Sequence, residues 1–221
     1  MKRSKPAVLF DLDGTLIDSA PDLAGAANAL RAEHGLAALP YAALRPMVGS
    51  GARGMVGVAF GVAPGDERYE QLKDAFLDRY ASRLLAETRV FDAMAPILQA
   101  LDDAGRPWGI VTNKAMRFAA PVIEGLGLHR RAAVVIAGDS TPHHKPHPAP
   151  LLEAARRMGQ PAADCVYIGD DLRDIQAGRS AGMATLAAAW GYLGAGDAIE
   201  AWGADRILNL PGELLHWLEL A

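Results

Sequence analysis

The feature that most constrains this chain is a series of short apolar runs at residues 107–111, 133–137, 164–168 and 183–188, with a weaker one at 205–208, separated by segments of helical pattern. Short apolar runs bounded by turn residues read as buried strands, and strand alternating with helix argues for a parallel sheet covered by helices. One more such run, residues 6–10, ends in Asp11-Leu12-Asp13-Gly14-Thr15 and predicts a strand that feeds a turn permitted by Gly14. Between these two regions the pattern is helical. Ser19-Ala20-Pro21-Asp22 has the spacing of a capping box with a tolerated first-turn proline, so a helix is predicted from there to about Gly35. Tyr69, Leu72, Phe76, Tyr80 and Leu84 recur at three- and four-residue steps and predict one long amphipathic helix across residues 66–87.

The economical organisation is an α/β, Rossmann-like parallel sheet with helices on both faces, formed by residues 1–15 and 91–221, and interrupted by an all-helical insertion at residues 16–90. The insertion would act as a cap, joined by short hinges near Leu16 and Phe91. With 51% hydrophobic residues among 221, the chain has ample material for a core. Its 22 Lys plus Arg against 26 Asp plus Glu leave a net charge of -4, which gives no footprint for nucleic acid or an anionic membrane. No run approaches the ~18 apolar residues needed to span a bilayer. The single cysteine, Cys165, lies in an apolar run, so an internal disulfide is excluded and a buried thiol in a reducing compartment is expected. These features predict a cytoplasmic protein of small-molecule chemistry, a monomer or homodimer.

Ligands of open parallel sheets bind beyond the carboxyl ends of the strands. There the chain carries Asp11 and Asp13 after the first strand, Thr112 and Asn113 after the next, Lys145 after the third, and Asp170, Asp171 and Asp174 after the fourth. A carboxylate attacks phosphorus only if both negative charges are offset, and a hard dication such as Mg²⁺ held by oxygen ligands does this. Asp11 and Asp170 suit that ion, with the Asp13 backbone carbonyl as a third ligand. Lys145 and Thr112 can hold the phosphoryl oxygens, while Asp13 can protonate the leaving alcohol and then activate water. Each feature also has a bland counterpart. Asp-x-Asp-Gly-Thr is by itself an acidic turn, and Asp170 to Asp174 resembles an acidic first turn favoured by a helix dipole. Gly49-Ser-Gly51-Ala-Arg-Gly54 matches a dinucleotide fingerprint, but no strand precedes it, so no nucleotide cofactor is expected. His143, His144 and His147 share a proline-rich loop with no further soft ligand and are expected to be solvated.

Asp11-Leu-Asp13-Gly-Thr15, Thr112-Asn113, Lys145-Pro146 and Gly169-Asp170-Asp171-Leu-Arg-Asp174 resemble, in order, the four motifs of the haloacid dehalogenase superfamily. Asp11 to Ser19 with the helical insertion resembles its phosphoglycolate phosphatase branch. That resemblance implies Asp11 as nucleophile, Asp13 as acid and base, Thr112, Asn113 and Lys145 as phosphate or substrate binders, Asp11, Asp13 and Asp170 as Mg²⁺ ligands, and Asp174 holding a metal-bound water. Gly49 to Val56, Trp108 to Lys114, Arg117-Phe118-Ala119 and Trp202 to Asp205 are similar to the N-acetylmuramate 6-phosphate phosphatases of cell-wall recycling. Both substrates carry a carboxylate besides the phosphate, so an arginine of the cap has a job, with Arg53 first and Arg45 or Arg117 behind it. A sugar-phosphate mutase of the same superfamily shares these residues and stays open. A receiver-type phosphorylation switch is disfavoured by a nucleophile in the first strand, and a dehalogenase by Asp13 and Asp170.

Overall fold

The computed structural model describes residues 6–220; residues 1–5 of the expected core and residue 221 lie outside them. The strands are β1 (Ala7–Phe10), β2 (Ile17–Asp18), β3 (Arg89–Val90), β4 (Trp108–Val111), β5 (Val134–Ile136), β6 (Cys165–Gly169), β7 (Ala184–Ala188) and β8 (Arg206–Leu208). All but β2 and β3 form one sheet in the order β5-β4-β1-β6-β7-β8, parallel throughout. Each expected apolar run becomes a strand within one residue at either end.

The helices are α1 (Ala20–Glu33), α2 (Tyr41–Leu44), α3 (Gly51–Phe60), α4 (Tyr69–Ala81), α5 (Ala95–Asp103), α6 (Met116–Gly125), α7 (Ala149–Arg157), α8 (Leu172–Ser180) and α9 (Glu213–Trp217). Strand side chains alternate between two buried faces. Val8, Phe10, Trp108, Ile110, Val166 and Ile168 meet Leu98 and Leu101 of α5, Val122 and Ile123 of α6 and Leu214 of α9. Ala7, Leu9, Val111, Cys165 and Tyr167 meet Leu151 and Ala154 of α7 and Ala177 of α8 on the opposite face. Cys165 is buried, and burial pushes its thiol up to about 11.

Helices α1 to α4 assemble around a separate apolar cluster that includes Leu30, Met55, Val56, Leu72 and Phe76. They are bracketed by β2 and β3, which pair antiparallel through Ile17 with Val90 and Asp18 with Arg89. The Phe91 N–H continues this pairing onto the Leu16 carbonyl at 3.1 Å.

Two local expectations fail for tertiary reasons. Helix α1 starts at Ala20, but Ser19 makes no side-chain cap bond. Its hydroxyl turns to Asp13, and the Asp22 carboxylate, fully buried, accepts from the N–H groups of Glu87 (3.0 Å) and Thr88 (2.8 Å) and from the Thr88 hydroxyl (2.7 Å). Helix α4 buries Tyr69, Leu72, Phe76 and Tyr80 as predicted but ends at Ala81, short of Leu84. The chain beyond it bends so that Arg83, Glu87 and Thr88 all reach Asp22. Among the described residues no helix is long and apolar enough to cross a membrane.

Candidate active site

Strand β1 lies between β4 and β6, and the winding of the sheet reverses there, so the loops leaving these strands open a crevice at their carboxyl ends. Asp11 directly follows β1, and its N–H donates to the Ile168 carbonyl at 2.8 Å, which fixes its backbone to the neighbouring strand. Beside it, Gly14 has φ +85°, and a Cβ there would stand 2.2 Å from an Asp170 carboxylate oxygen. Only glycine allows the two loops to approach this closely.

Lys145, buried, binds two carboxylates at once: its Nζ stands 2.8 Å from Asp11 Oδ1 and 2.8 Å from Asp174 Oδ1. It also donates to the Tyr167 hydroxyl at 2.8 Å, which in turn donates to the Val111 carbonyl at 2.8 Å. Burial alone would lower the lysine's proton affinity, but Asp11 and Asp174 more than reverse this and raise it. Oxygens of Asp11, Asp170 and Asp174 lie within 4.8 Å of one another. Burial, outweighing the nearby Lys145 charge, pushes the Asp11 carboxyl up to about 7, with Asp174 adding to the rise. Asp170 is raised well above the usual range, by burial first and then by the charges of Asp11 and Asp174. The Thr15 hydroxyl (2.9 Å) and the Tyr192 N–H (2.7 Å) donate to it and oppose that rise.

Three carboxylates, Asp170 and Asp174 buried and Asp11 partly so, face a single ammonium, and all the donors are oxygen, so the residues fit a hard divalent cation. The Asp13 side chain does not join the cluster. It accepts from Lys114 Nζ at 2.9 and 3.0 Å and from the Ser19 hydroxyl, which leaves only its backbone carbonyl for a metal. Both oxygens of Asp174 already have partners, Lys145 and the Asp171 N–H. Asp171 and Asp174 together form a capping box on α8, so the helical-turn reading of these two residues holds alongside any role in the site.

Thr112 is buried at the end of β4; its Oγ1 accepts from the Lys114 N–H at 3.1 Å, and its own proton remains available to the cavity. Asn113, expected to bind substrate, lines the cavity and also clamps the lysine loop: its Nδ2 donates to the Lys145 carbonyl and its Oδ1 accepts from the Lys145 N–H, both at 2.9 Å. Asp11, Asp13, Thr112, Asn113, Lys145, Asp170 and Asp174 line a cavity of about 400 Å³, which Leu23, Val48, Phe76 and Tyr80 of the insertion also line.

The arginines are distributed differently from expectation. Arg53 is exposed on α3 and borders a neighbouring cavity with Leu193 and Trp202 rather than the main one. Arg45 donates to the Gly191 and Trp190 carbonyls at 3.0 and 3.2 Å and covers the Tyr192 ring. Arg117 does line the main cavity, as does Arg173, which is engaged with Asp171 and the Gly49 carbonyl. His143 and His147 stack at 4.2 Å between ring centres, and among the described residues the only cluster suited to a metal is the aspartate one. Sequence reasoning missed Lys114, Tyr167 and Tyr192. Lys114 directly follows Thr112-Asn113 at a strand end, a position that could have marked it; the two tyrosines carry no such signal.

Comparison with known proteins identifies the family. A family model described as haloacid dehalogenase-like hydrolase matches residues 5–182. A phosphoglycolate phosphatase of Xanthomonas campestris pv. campestris is 48% identical over 94% of each chain. An N-acetylmuramic acid 6-phosphate phosphatase of Pseudomonas aeruginosa is 43% identical over 100% of this chain and 98% of its own. The crystal structure of a predicted phosphoglycolate phosphatase from Haemophilus somnus superposes with a TM-score of 0.85 at 27% identity, over 98% of this chain and 99% of that one. The motifs at the ends of β1, β4 and β6 thus sit in the fold that such sequences adopt, and this chain belongs to the haloacid dehalogenase-like hydrolases, among their phosphatases.

Proposed function

We propose that the enzyme hydrolyses a small phosphomonoester in two displacements on Asp11, with Mg²⁺ as its metal, and that N-acetylmuramate 6-phosphate is its preferred substrate. The observation that carries the reading is the meeting of Asp11, Lys145, Thr112, Asp170 and Asp174 at one end of a cavity of about 400 Å³. Asp11 and Asp170, with the Asp13 backbone carbonyl, would hold the metal, and Asp174 fits behind it because Lys145 and the Asp171 N–H already engage its oxygens. When bound, the ion supplies the positive charge that lets an anionic nucleophile meet an anionic phosphoryl group.

Asp11 attacks phosphorus and becomes the aspartyl-phosphate, while Lys145 and the Thr112 hydroxyl hold the equatorial oxygens. Asp13 gives a proton to the departing alcohol, then takes one from the water that opens the acyl phosphate. Asn113 contributes by fixing the Lys145 backbone. Residues 16–90 act as a cap that hinges on β2 and β3 and closes the site to bulk water. We place the activity in the cytoplasm, in keeping with one cysteine and no disulfide.

Cavity size supports the sugar acid: about 400 Å³ exceeds what a two-carbon phosphate fills, and the walls of Leu23, Val48 and Phe76 suit a bulkier body. The 48% identical relative named as a phosphoglycolate phosphatase supports 2-phosphoglycolate as a second reading. Phosphate release from N-acetylmuramate 6-phosphate, 2-phosphoglycolate and hexose 6-phosphates, each with Mg²⁺ and with EDTA, tests both. Metal-dependent preference for the sugar acid is expected. Accumulation of phosphorylated enzyme without release would transfer the reading to a mutase.

A further inference from the structure

Phe76, Leu77 and Tyr80 of α4 line the main cavity, and the first two are pure hydrocarbon. Phenylalanine at position 80 would complete that wall, so packing alone does not require the hydroxyl. Tyr80 is 2% exposed, and its oxygen, closed from solvent, has no protein group within hydrogen-bond distance among the described residues. Buried polar groups are ordinarily paired, and an unpaired one destabilises the fold that holds it. The ring itself is engaged: it packs against Phe118 with centres 5.7 Å apart, and Lys114 Nζ stands 4.8 Å from its centre. Lys114 cannot accept the hydroxyl proton, because an ammonium has donors and no acceptor. Burial, opposed by the Lys114 charge, raises the phenol's proton affinity, so at neutral pH the group is a donor.

Lys114 relates this donor to the chemistry. Its Nζ holds both oxygens of the Asp13 carboxylate, at 2.9 and 3.0 Å, and the same nitrogen lies over the Tyr80 ring. With Asp13 protonating the leaving oxygen, the first carbons of the alcohol come to lie beside Lys114 and Tyr80. We propose that Tyr80 is a specificity-determining residue, whose hydroxyl donates to a substrate oxygen borne by the carbon next to the ester carbon. This inference rests on the reading of Asp13 as acid and base. Both candidate substrates carry such an oxygen: the carboxylate of 2-phosphoglycolate and the ring oxygen of N-acetylmuramate 6-phosphate. A plain alkyl phosphate has none, and its binding would leave the phenol unpaired against hydrocarbon. Sites built to hydrogen-bond a substrate reject analogues that lack the partner atom for this reason. The hydroxyl that finds no partner in the protein thus favours alcohols that bring one.

The test compares Tyr80→Phe with wild type, measuring kcat and KM with Mg²⁺ for N-acetylmuramate 6-phosphate, 2-phosphoglycolate and ethyl phosphate. Phenylalanine keeps the ring against Phe118 and Lys114 and removes only the oxygen. Preference for the better oxygen-bearing substrate is its kcat/KM divided by that of ethyl phosphate. In the variant this ratio is expected to fall about tenfold, the scale of one hydrogen bond. A fall confined to 2-phosphoglycolate would make the acceptor a carboxylate, and one confined to the sugar acid would make it the ring oxygen. Thermal unfolding without substrate gives a readout independent of activity. The variant is expected to melt at or above the wild-type temperature, since it loses an unpaired buried donor and keeps the ring's contacts. A preference left unmoved, whether activity is kept or lost for all three substrates alike, would overturn the assignment. A clearly lower Tm would do the same, because it would mean that the hydroxyl has a protein partner. Full turnover in Asp13→Asn would instead sink the acid and base reading beneath it, so the two failures are separable.

Discussion

The charge imbalance at the sheet edge makes a prediction about stability in the absence of metal. Folding moves the Asp11 carboxyl from its ordinary 3.8 to about 7, chiefly through burial. Between those values the folded protein holds a proton that the unfolded chain has released, so stability falls as pH rises through the window and levels off above it. At about 1.4 kcal/mol per pH unit, the interval from 3.8 to about 7 corresponds to about 4 kcal/mol. Asp11→Asn keeps the shape and removes the ionisation. In EDTA near pH 8 it is therefore expected to be more stable than wild type by up to this amount, or roughly 10 °C in Tm for a chain of this size. Near pH 4 the two should coincide. Saturating Mg²⁺ should stabilise wild type more than the variant at the higher pH, because an ion that binds only the folded state adds to its stability. Thermal or urea unfolding from about pH 4 to 8, with EDTA and with Mg²⁺, provides the comparison. A difference between wild type and variant that stays flat across this range in EDTA would refute the view that uncompensated carboxylates strain the apo site.

Asp22→Ala removes a buried carboxylate that accepts from Glu87, Thr88 and Arg83 and is expected to cost about 3 kcal/mol in urea unfolding. Burial would raise the Asp22 carboxyl, but the bonds from Glu87 and Thr88 outweigh it and hold it below 3.8, so its contribution is complete above that pH and fades as pH falls below it. For substrate recognition, Arg117→Ala, which alters the lining of the main cavity, is expected to raise KM for carboxylate-bearing substrates by about tenfold, and less for plain hexose phosphates. Arg53→Ala, outside that cavity, should change KM by less than about twofold.

Legibility from sequence followed a physical boundary. Asp11, Thr112 and Asp170 each stand directly after an apolar run, so once the runs are strands of one parallel sheet their convergence is forced, and the strand bounds were correct within a residue. Lys145 lies well beyond β5, so its place after the third strand points to the site less directly than theirs, and the resemblance to known motifs strengthens it. Arg53 shows the opposite case. A glycine-rich turn before α3 offers no apolar stripe from which to read the helix's facing, so the sequence ranks Arg53 ahead of Arg45 and Arg117, whereas packing puts Arg117 alone of the three on the main cavity.

The failures around α1 and α4 share one cause, and it bears on how the cap is built. Local rules assigned Ser19 and Asp22 to each other, three residues apart, as a capping box. In the fold each has left that partnership for one that joins distant parts of the chain: Ser19 reaches back to Asp13, and Asp22 forward to the return strand's approach at Glu87 and Thr88. Asp22 thereby ties the first inserted helix to the segment that follows the last, next to the paired strands β2 and β3. With Tyr192 supplying the cap from the sheet side, the base of the insertion is held by contacts to Asp13, Thr88 and the loop after β7 rather than by the helix's own turn. The groups that hold the base of the insertion therefore also contact Asp13, the proposed acid and base, and Asp170.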